Sequence, residues 1–340
     1  MDPTKVLAIV LAGGNGTRLH PLTAEHAKPA LPFAAGNRII DFVLSNLVNS
    51  GITSIYVLAQ YKPQSLIEHI RAAWAPVLRG PGRFVSAVLP GAESARAPFL
   101  GTADAVYKNL HLCARHAPDL VAVFAADHVY RMDVGQMVEA HVQSKADISV
   151  AAVPVPVERA SPFGIIAAQA DGRIREFQEK PERPAPIPER PSHAYASMGN
   201  YLFDPGVLAA LLEQAARRGE TDFGRHVLPR ATATHRVFAY DFAGNRVPGI
   251  LPHEEPNYWR DVGTIEAYRA AQRDASGPSP KFSLANERWP IGGKLRGGVV
   301  ERAAAAHRVL RQGNVTAAGA ANWTAAPNFL LKENSCSSTF

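Results

Sequence analysis

Val6-Leu7-Ala8-Ile9-Val10-Leu11-Ala12-Gly13-Gly14-Asn15-Gly16-Thr17-Arg18 passes from an unbroken apolar run straight into a glycine-rich turn. The run Val6–Leu11 predicts a strand of a mostly parallel sheet, in which helices cover both faces and apolar residues need not alternate with polar ones. The turn then lies at the carboxyl edge of that sheet, where ligands bind in doubly wound folds. Glycines at such an edge let main-chain N–H groups approach phosphate oxygens, and Arg18 adds a fork of donors. Leu11, Ala12, Gly13, Gly14, Gly16, Thr17 and Arg18 are therefore candidates for holding a nucleoside triphosphate. The spacing is neither Gly-x-Gly-x-x-Gly nor a Walker loop, which disfavours a dehydrogenase or a P-loop ATPase. Taken alone, the turn also fits a plain strand-to-helix connection.

Working outward, short apolar runs alternate with amphipathic stretches. Strands are expected at Ser54–Leu58, Phe84–Leu89, Leu120–Phe124 and Ile148–Val153, with helices at Arg38–Ser50, Pro63–Ala73, Thr102–Ala114 and Val134–Ser144. Gly51 closes the first helix and Pro63 opens the second. The proline-rich stretch 181–193 reads as a surface loop, because proline removes donors and fixes φ. After it come a short strand Tyr201–Phe203, a helix Pro205–Arg217, a strand Val237–Phe242 and a helix Thr264–Arg273, continuing the same sheet. This alternation predicts a Rossmann-like, doubly wound α/β fold. Past Trp289 the pattern weakens to an Ala-rich helix candidate at Glu301–Arg311, with low order expected past residue 312. We expect a catalytic domain over residues 5–275 and a linker with a degenerate tail over 276–340.

The 340 residues exceed one ordinary core, and 46% hydrophobic against 19% charged residues excludes a disordered or fibrous chain. The net charge of +6 raises the question of a nucleic-acid partner. Residues 281–340, however, hold eight Lys or Arg against three Glu, which leaves the first 280 residues nearly neutral. A basic tail without interleaved aromatics does not make a binding surface, so no nucleic-acid partner is expected. No apolar run approaches the roughly 18 residues of a membrane span, and the N-terminus lacks a signal-peptide layout. The cytoplasm is the expected location, with no membrane partner. Cys113 and Cys336 are too few and too separated for a disulfide scaffold or a zinc site.

Further candidates lie on other predicted strand ends. Lys28, fixed before Pro29, can supply a second positive charge to the same phosphates. Asp127 leaves an apolar strand at the edge that carries the glycine turn, and Asp261 precedes a predicted helix. Two such carboxylates can hold Mg²⁺ between phosphates, because that ion takes a few carboxylates plus substrate oxygens. Asp127 is otherwise a turn residue and Asp261 a helix N-cap. Glu179 and Lys180 end a strand pattern, where adjacent side chains can both reach one ligand; elsewhere on a strand they would be an ordinary exposed pair.

In order and wording these segments resemble the glucose-1-phosphate adenylyltransferase family. The resemblance runs through Leu11–Arg18, Ala27–Ala30, Arg38–Phe42, Gly101–Val106, Asp127–Tyr130, Glu179–Pro181, Ser197–Tyr201 and Tyr258–Thr264, and covers about residues 5–291. The glycine signature is shared by all sugar-nucleotide pyrophosphorylases. Gly101–Val106, Ser197–Tyr201 and Tyr258–Thr264 together look specific to the ADP-glucose branch. The resemblance implies transfer of the adenylyl group of ATP to glucose 1-phosphate, for glycogen or a related glucan, without a covalent enzyme intermediate. It implies that Arg18 and the glycine amides hold the triphosphate, that Lys28 stabilises it at the reacting centre, and that Asp127 and Asp261 ligate Mg²⁺. On the sugar side it implies Lys180 on the sugar phosphate, Glu179, Ser197 and the Gly164 backbone on glucose hydroxyls, and Phe99 beside the sugar.

The chain also departs from the family. Members usually continue past Trp-Pro-Ile into a left-handed β-helix that contributes subunit contacts and an effector site, whereas unrelated sequence follows Trp289-Pro290-Ile291 here. A homo-oligomer would lack its usual contacts. Glu25 and His26 stand where basic residues often precede the Lys-Pro, so little response to phosphorylated effectors is expected. Gly91-Ala92-Glu93 replaces a segment that usually carries glutamine, and Phe99 replaces a tyrosine, which keeps a UTP- or dTTP-using relative open. A catalytically silent, sugar-nucleotide-binding subunit is the rival from another class.

Overall fold

Five of the seven residues of Val6–Ala12 (β1) are fully buried, so this strand is covered on both faces. A computed structural model describes residues 4–78, 80–91 and 98–292. The other strands are Ser54–Ala59 (β2), Phe84–Val88 (β3), Leu120–Ala125 (β4), His128–Tyr130 (β5), Ile148–Pro156 (β6), Gly164–Ala168 (β7), Ile174–Glu179 (β8), His193–Phe203 (β9), Val237–Asp241 (β10) and Trp259–Asp261 (β11). The helices are Ile40–Asn49 (α1), Gln64–His69 (α2), Thr102–Tyr107 (α3), Leu110–His116 (α4), Val134–Gln143 (α5), Pro205–Arg217 (α6), Leu228–Thr234 (α7) and Ile265–Asp274 (α8).

The main sheet runs β10-β6-β9-β4-β1-β2-β3, with the hairpin β7–β8 attached to β9. β1 pairs in parallel with both β2 and β4, β2 with β3, and β10 with β6. Only β9, wedged between β4 and β6, and the β7–β8 hairpin are antiparallel. Successive side chains of β1 point to opposite layers. Ala8, Val10 and Ala12 meet Ile40, Val43 and Leu47 of α1 and Met137 of α5. Leu7 and Ile9 meet the layer built from Ala103 and Val106 of α3, Leu208 and Leu212 of α6, and Leu228 of α7. The mostly parallel α/β sandwich is the expected architecture.

Some expected elements differ in form or extent, three of them for a visible physical reason. The helix expected over Thr102–Ala114 is two, because Asn109 leaves helical geometry and its side chain donates back to the Ala105 carbonyl at 2.8 Å. The helix expected over Pro63–Ala73 widens into a π-turn at Ile70–Trp74, which lets the Trp74 indole donate to buried Asp41 at 2.7 Å. The strand expected at Tyr201–Phe203 is eleven residues long and begins at His193, its first half alternating between half-buried and buried. Packing continues past residue 275: Phe282 and Ile291 are buried beside Phe42, Tyr258 and Val129. The tail expectations, from Glu301–Arg311 to low order past 312, lie outside the described residues. Among the described residues no helix is long and apolar enough to cross a membrane.

Candidate active site

Parallel pairing of β1 with β2 and β4 brings their carboxyl ends to one edge, and a cleft of about 610 Å³ opens there. The stretch Leu11 through Leu19 lines it, together with Lys28, Phe99, Asp127 and Glu179. A Cβ added at Gly13 or Gly14 would meet nothing within 4 Å. Packing among the described residues therefore does not explain these glycines; they leave room for a ligand against the main chain. Gly16 is different: its φ is +60°, and a Cβ there would lie 2.9 Å from the Thr23 methyl and 3.3 Å from Lys28 Cβ.

A two-stranded ribbon, absent from the sequence expectation, sets the two acidic candidates. Antiparallel pairing of β11 with β5 places Asp261 opposite His128, beside Asp127. Lys28, whose side chain is only 7% exposed, donates from Nζ to Asp127 Oδ2 at 2.9 Å and to Asp261 Oδ1 at 3.3 Å. Asp127, His128 and Asp261 offer ligand atoms that all lie within 4.8 Å of one another. Desolvation works to raise the Asp127 carboxyl, but the adjacent His128 and Lys28 outweigh it and hold Asp127 well below the usual carboxylate range. The helix-cap alternative for Asp261 is ruled out, because Thr264 caps α8, its hydroxyl accepting from Ala267 N at 3.2 Å. Arg18 Nη2 and Asp261 Oδ2 flank Gly263, each 3.0 Å from where a Cβ would stand there.

The hairpin β7–β8 supplies the opposite wall. Glu179 lines the cleft, and Gly164 is its register partner. Lys180, at φ +49°, turns its exposed side chain back onto Glu179. Gly164, Lys180, Ser197 and Asp261 do not themselves line the cleft but touch residues that do. Ser197, for example, accepts at Oγ from the amide of cleft-lining Gly199 at 3.2 Å. Gly91 is exposed, and Ala92 and Glu93 lie outside the described residues.

Two groups lining the cleft were not anticipated. Asp222 accepts from the Thr102 hydroxyl at 3.1 Å and from Arg225 N at 2.9 Å, and it faces Glu179 across Gly224. Its only sequence signal is an Asp two residues before a Gly, which is weak. Gln60 brackets Phe99 by donating to its carbonyl at 3.2 Å and accepting from its amide. Gly101 permits a close approach: the Thr221 carbonyl, which accepts from Ala103 N at 2.8 Å, would lie 2.4 Å from a Cβ at 101. Gly101→Ala is expected to cost about 1–3 kcal/mol through overpacking, measurable as a lower urea midpoint. An unchanged midpoint would mean that the backbone gives way freely. Cys113 is buried and desolvation pushes its thiol up to about 12, which keeps it protonated.

Comparison with known proteins assigns first a class. A family model described as nucleotidyl transferase matches residues 7–276. Individual relatives narrow it. The chain is 52% identical over 288 residues to the glucose-1-phosphate adenylyltransferase of Thermodesulfovibrio yellowstonii, covering 84% of this chain and 70% of that protein. It is 51% identical over 301 residues to that of Thermus thermophilus, covering 86% and 72%. To that of Corynebacterium glutamicum it is 46% identical over 289 residues, covering 84% and 70%. The chain belongs to the glucose-1-phosphate adenylyltransferase family of nucleotidyl transferases.

Proposed function

We propose that this chain transfers the adenylyl group of ATP to α-D-glucose 1-phosphate, giving ADP-glucose and pyrophosphate for α-glucan synthesis. The observation that carries this reading is one cleft with two chemically different walls. Glycines, Arg18, Lys28 and Asp127 line one side, with Asp261 behind Lys28, and Glu179 and Asp222 line the other, with Lys180 turned onto Glu179. An oxygen of the sugar phosphate attacks the α-phosphorus of ATP in line, and the bond from that phosphorus to the bridging oxygen breaks as pyrophosphate leaves. The attacking oxygen is already anionic at neutral pH, so the work is positioning and charge neutralisation rather than proton removal.

In this reading the glycine amides and Arg18 hold the triphosphate, and Lys28 offsets its charge at the reacting centre. The oxygen-rich donor set of Asp127 and Asp261, already converging on one cation, fits Mg²⁺. Bound there, the ion would neutralise and orient the phosphate oxygens. Lys180 grips the sugar phosphate, while Glu179, Ser197, Asp222 and the Gly164 backbone face the glucose hydroxyls, with Phe99 beside them. ATP and glucose 1-phosphate are cytoplasmic metabolites, so the cytoplasm is the compartment this reading implies.

Pyrophosphate release by the purified protein with glucose 1-phosphate, Mg²⁺ and each nucleoside triphosphate in turn tests it. ATP should support the fastest rate. A preference for UTP or dTTP would move the chain to another branch, and no release with any of them would leave a binding subunit. Lys180→Gln is expected to raise KM for glucose 1-phosphate about ten- to a hundredfold, the worth of one charge-assisted phosphate contact, with KM for ATP near its starting value. Equal damage to both constants would assign Lys180 to the triphosphate instead.

A further inference from the structure

The contacts of Lys28 pose a conflict. Its ammonium occupies the position between the Asp127 and Asp261 carboxylates that a bound cation would take. The base of the side chain is held by its turn: Arg38 clamps Lys28–Ala30 by donating to the Ala30 carbonyl at 2.9 Å, and Gly16 carries no side chain that would crowd Lys28 Cβ. The flexible four-carbon stem can swing, and Lys28 lines the same cleft as the glycine loop. The same ammonium can therefore pair with the carboxylates or with a phosphate at the loop, one at a time.

We propose that Lys28 is a tethered stand-in for the metal. It holds the seat between Asp127 and Asp261, and the ion enters only as Lys28 leaves, so metal affinity stays low until triphosphate oxygens draw the ammonium toward the glycine loop. Two carboxylates with no cation between them would repel each other, and the lysine removes that repulsion. A divalent ion entering beside the ammonium would meet like charge at contact distance, so the two exclude each other. This rests on the reading of Asp127 and Asp261 as the metal-holding pair. It adds an order to binding: the nucleotide brings or precedes the ion.

The test is Mn²⁺ binding to the full chain without nucleotide, read by the electron paramagnetic resonance of free Mn²⁺, with Mg²⁺ calorimetry alongside. Lys28→Met, which keeps the stem and removes the charge, should bind Mn²⁺ at least tenfold more tightly than wild type, and adding Asp261→Asn should abolish the gain. Lys28→Gln serves if the methionine protein does not fold. On the wild type, the Lys28 ammonium signal in a lysine-labelled NMR spectrum should shift as Mg²⁺ saturates the site. Equal affinity in wild type and variant, or an unmoved Lys28 signal at saturation, overturns the displacement while leaving the carboxylate pair as the metal site. No binding to Lys28→Met with both carboxylates intact overturns the metal reading and this inference together.

Discussion

Asp127→Asn is expected to lower turnover on the order of 10²–10³-fold, the loss seen when one preorganised electrostatic contact to a charged transition state is removed. The carboxamide is nearly isosteric, so the fold should survive. Lys28 keeps Asp261 as a partner at 3.3 Å, and the Asp127 side chain is 40% exposed, so no charge is stranded in the interior. What changes is the sign balance of the seat, from two carboxylates and one ammonium to one of each. A cation is then no longer favoured there, and the triphosphate loses its neutralising partner at the reacting centre. Steady-state pyrophosphate release measures the first effect, and a thermal melt followed by circular dichroism the second. Near-normal turnover in a folded Asp127→Asn protein removes Asp127 from the reacting centre.

The glycine loop was legible in the sequence because its two signals are local: an unbroken apolar run and the glycines that end it. The parallel sheet was legible for the same reason, since β1, β2 and β4 are buried on both faces and read as apolar runs. The ribbon that sets the acidic pair was not. Each of its strands is three residues long, and its partners lie more than a hundred residues apart, so neither strand has a period to detect. Asp127 and Asp261 could be singled out one at a time, but their meeting depends on the register of Asp261 against His128. β9 hid for a different reason. Its first half, His193-Ala194-Tyr195-Ala196-Ser197-Met198-Gly199, alternates half-buried with buried residues, and two of its three buried side chains are alanines, which carry little hydrophobic signal even when fully inside. Asp222 and Gln60 earn their places through contacts with Thr102 and Phe99, which no local pattern announces.

The second large effect is expected far from the phosphates, at the support of that ribbon. Arg131 directly follows β5, and its side chain is buried, as is that of Glu254. Arg131 donates to Glu254 Oε2 at 3.0 Å and to the Ser283 carbonyl, and its guanidinium lies 4.4 Å over the Phe282 ring. Glu254 also accepts from Ser283 N at 2.8 Å and Leu251 N at 2.9 Å. Among the described residues Arg131 Nε has no hydrogen-bond partner, so the pair is not fully satisfied there even when intact. Removing one member of a buried ion pair strands the other charge, which costs about 3–5 kcal/mol; Glu254→Gln should do this with little change in volume, seen in urea unfolding at pH 7. Desolvation works to raise the Glu254 carboxyl, but the Leu251 and Ser283 amides and Arg131 outweigh it and hold it below its ordinary value. A depressed folded value means that its stabilisation is present above the unfolded pKa of about 4.3 and is lost as pH falls through the lower folded value. The gap between wild type and Glu254→Gln should therefore be widest near neutrality and close as pH falls from the unfolded value through the lower folded one; a gap independent of pH would mean that shape rather than charge holds the pair. Because Arg131 anchors the strand whose register sets Asp261 beside Asp127, turnover of Glu254→Gln should fall together with stability, whereas Asp127→Asn loses turnover alone.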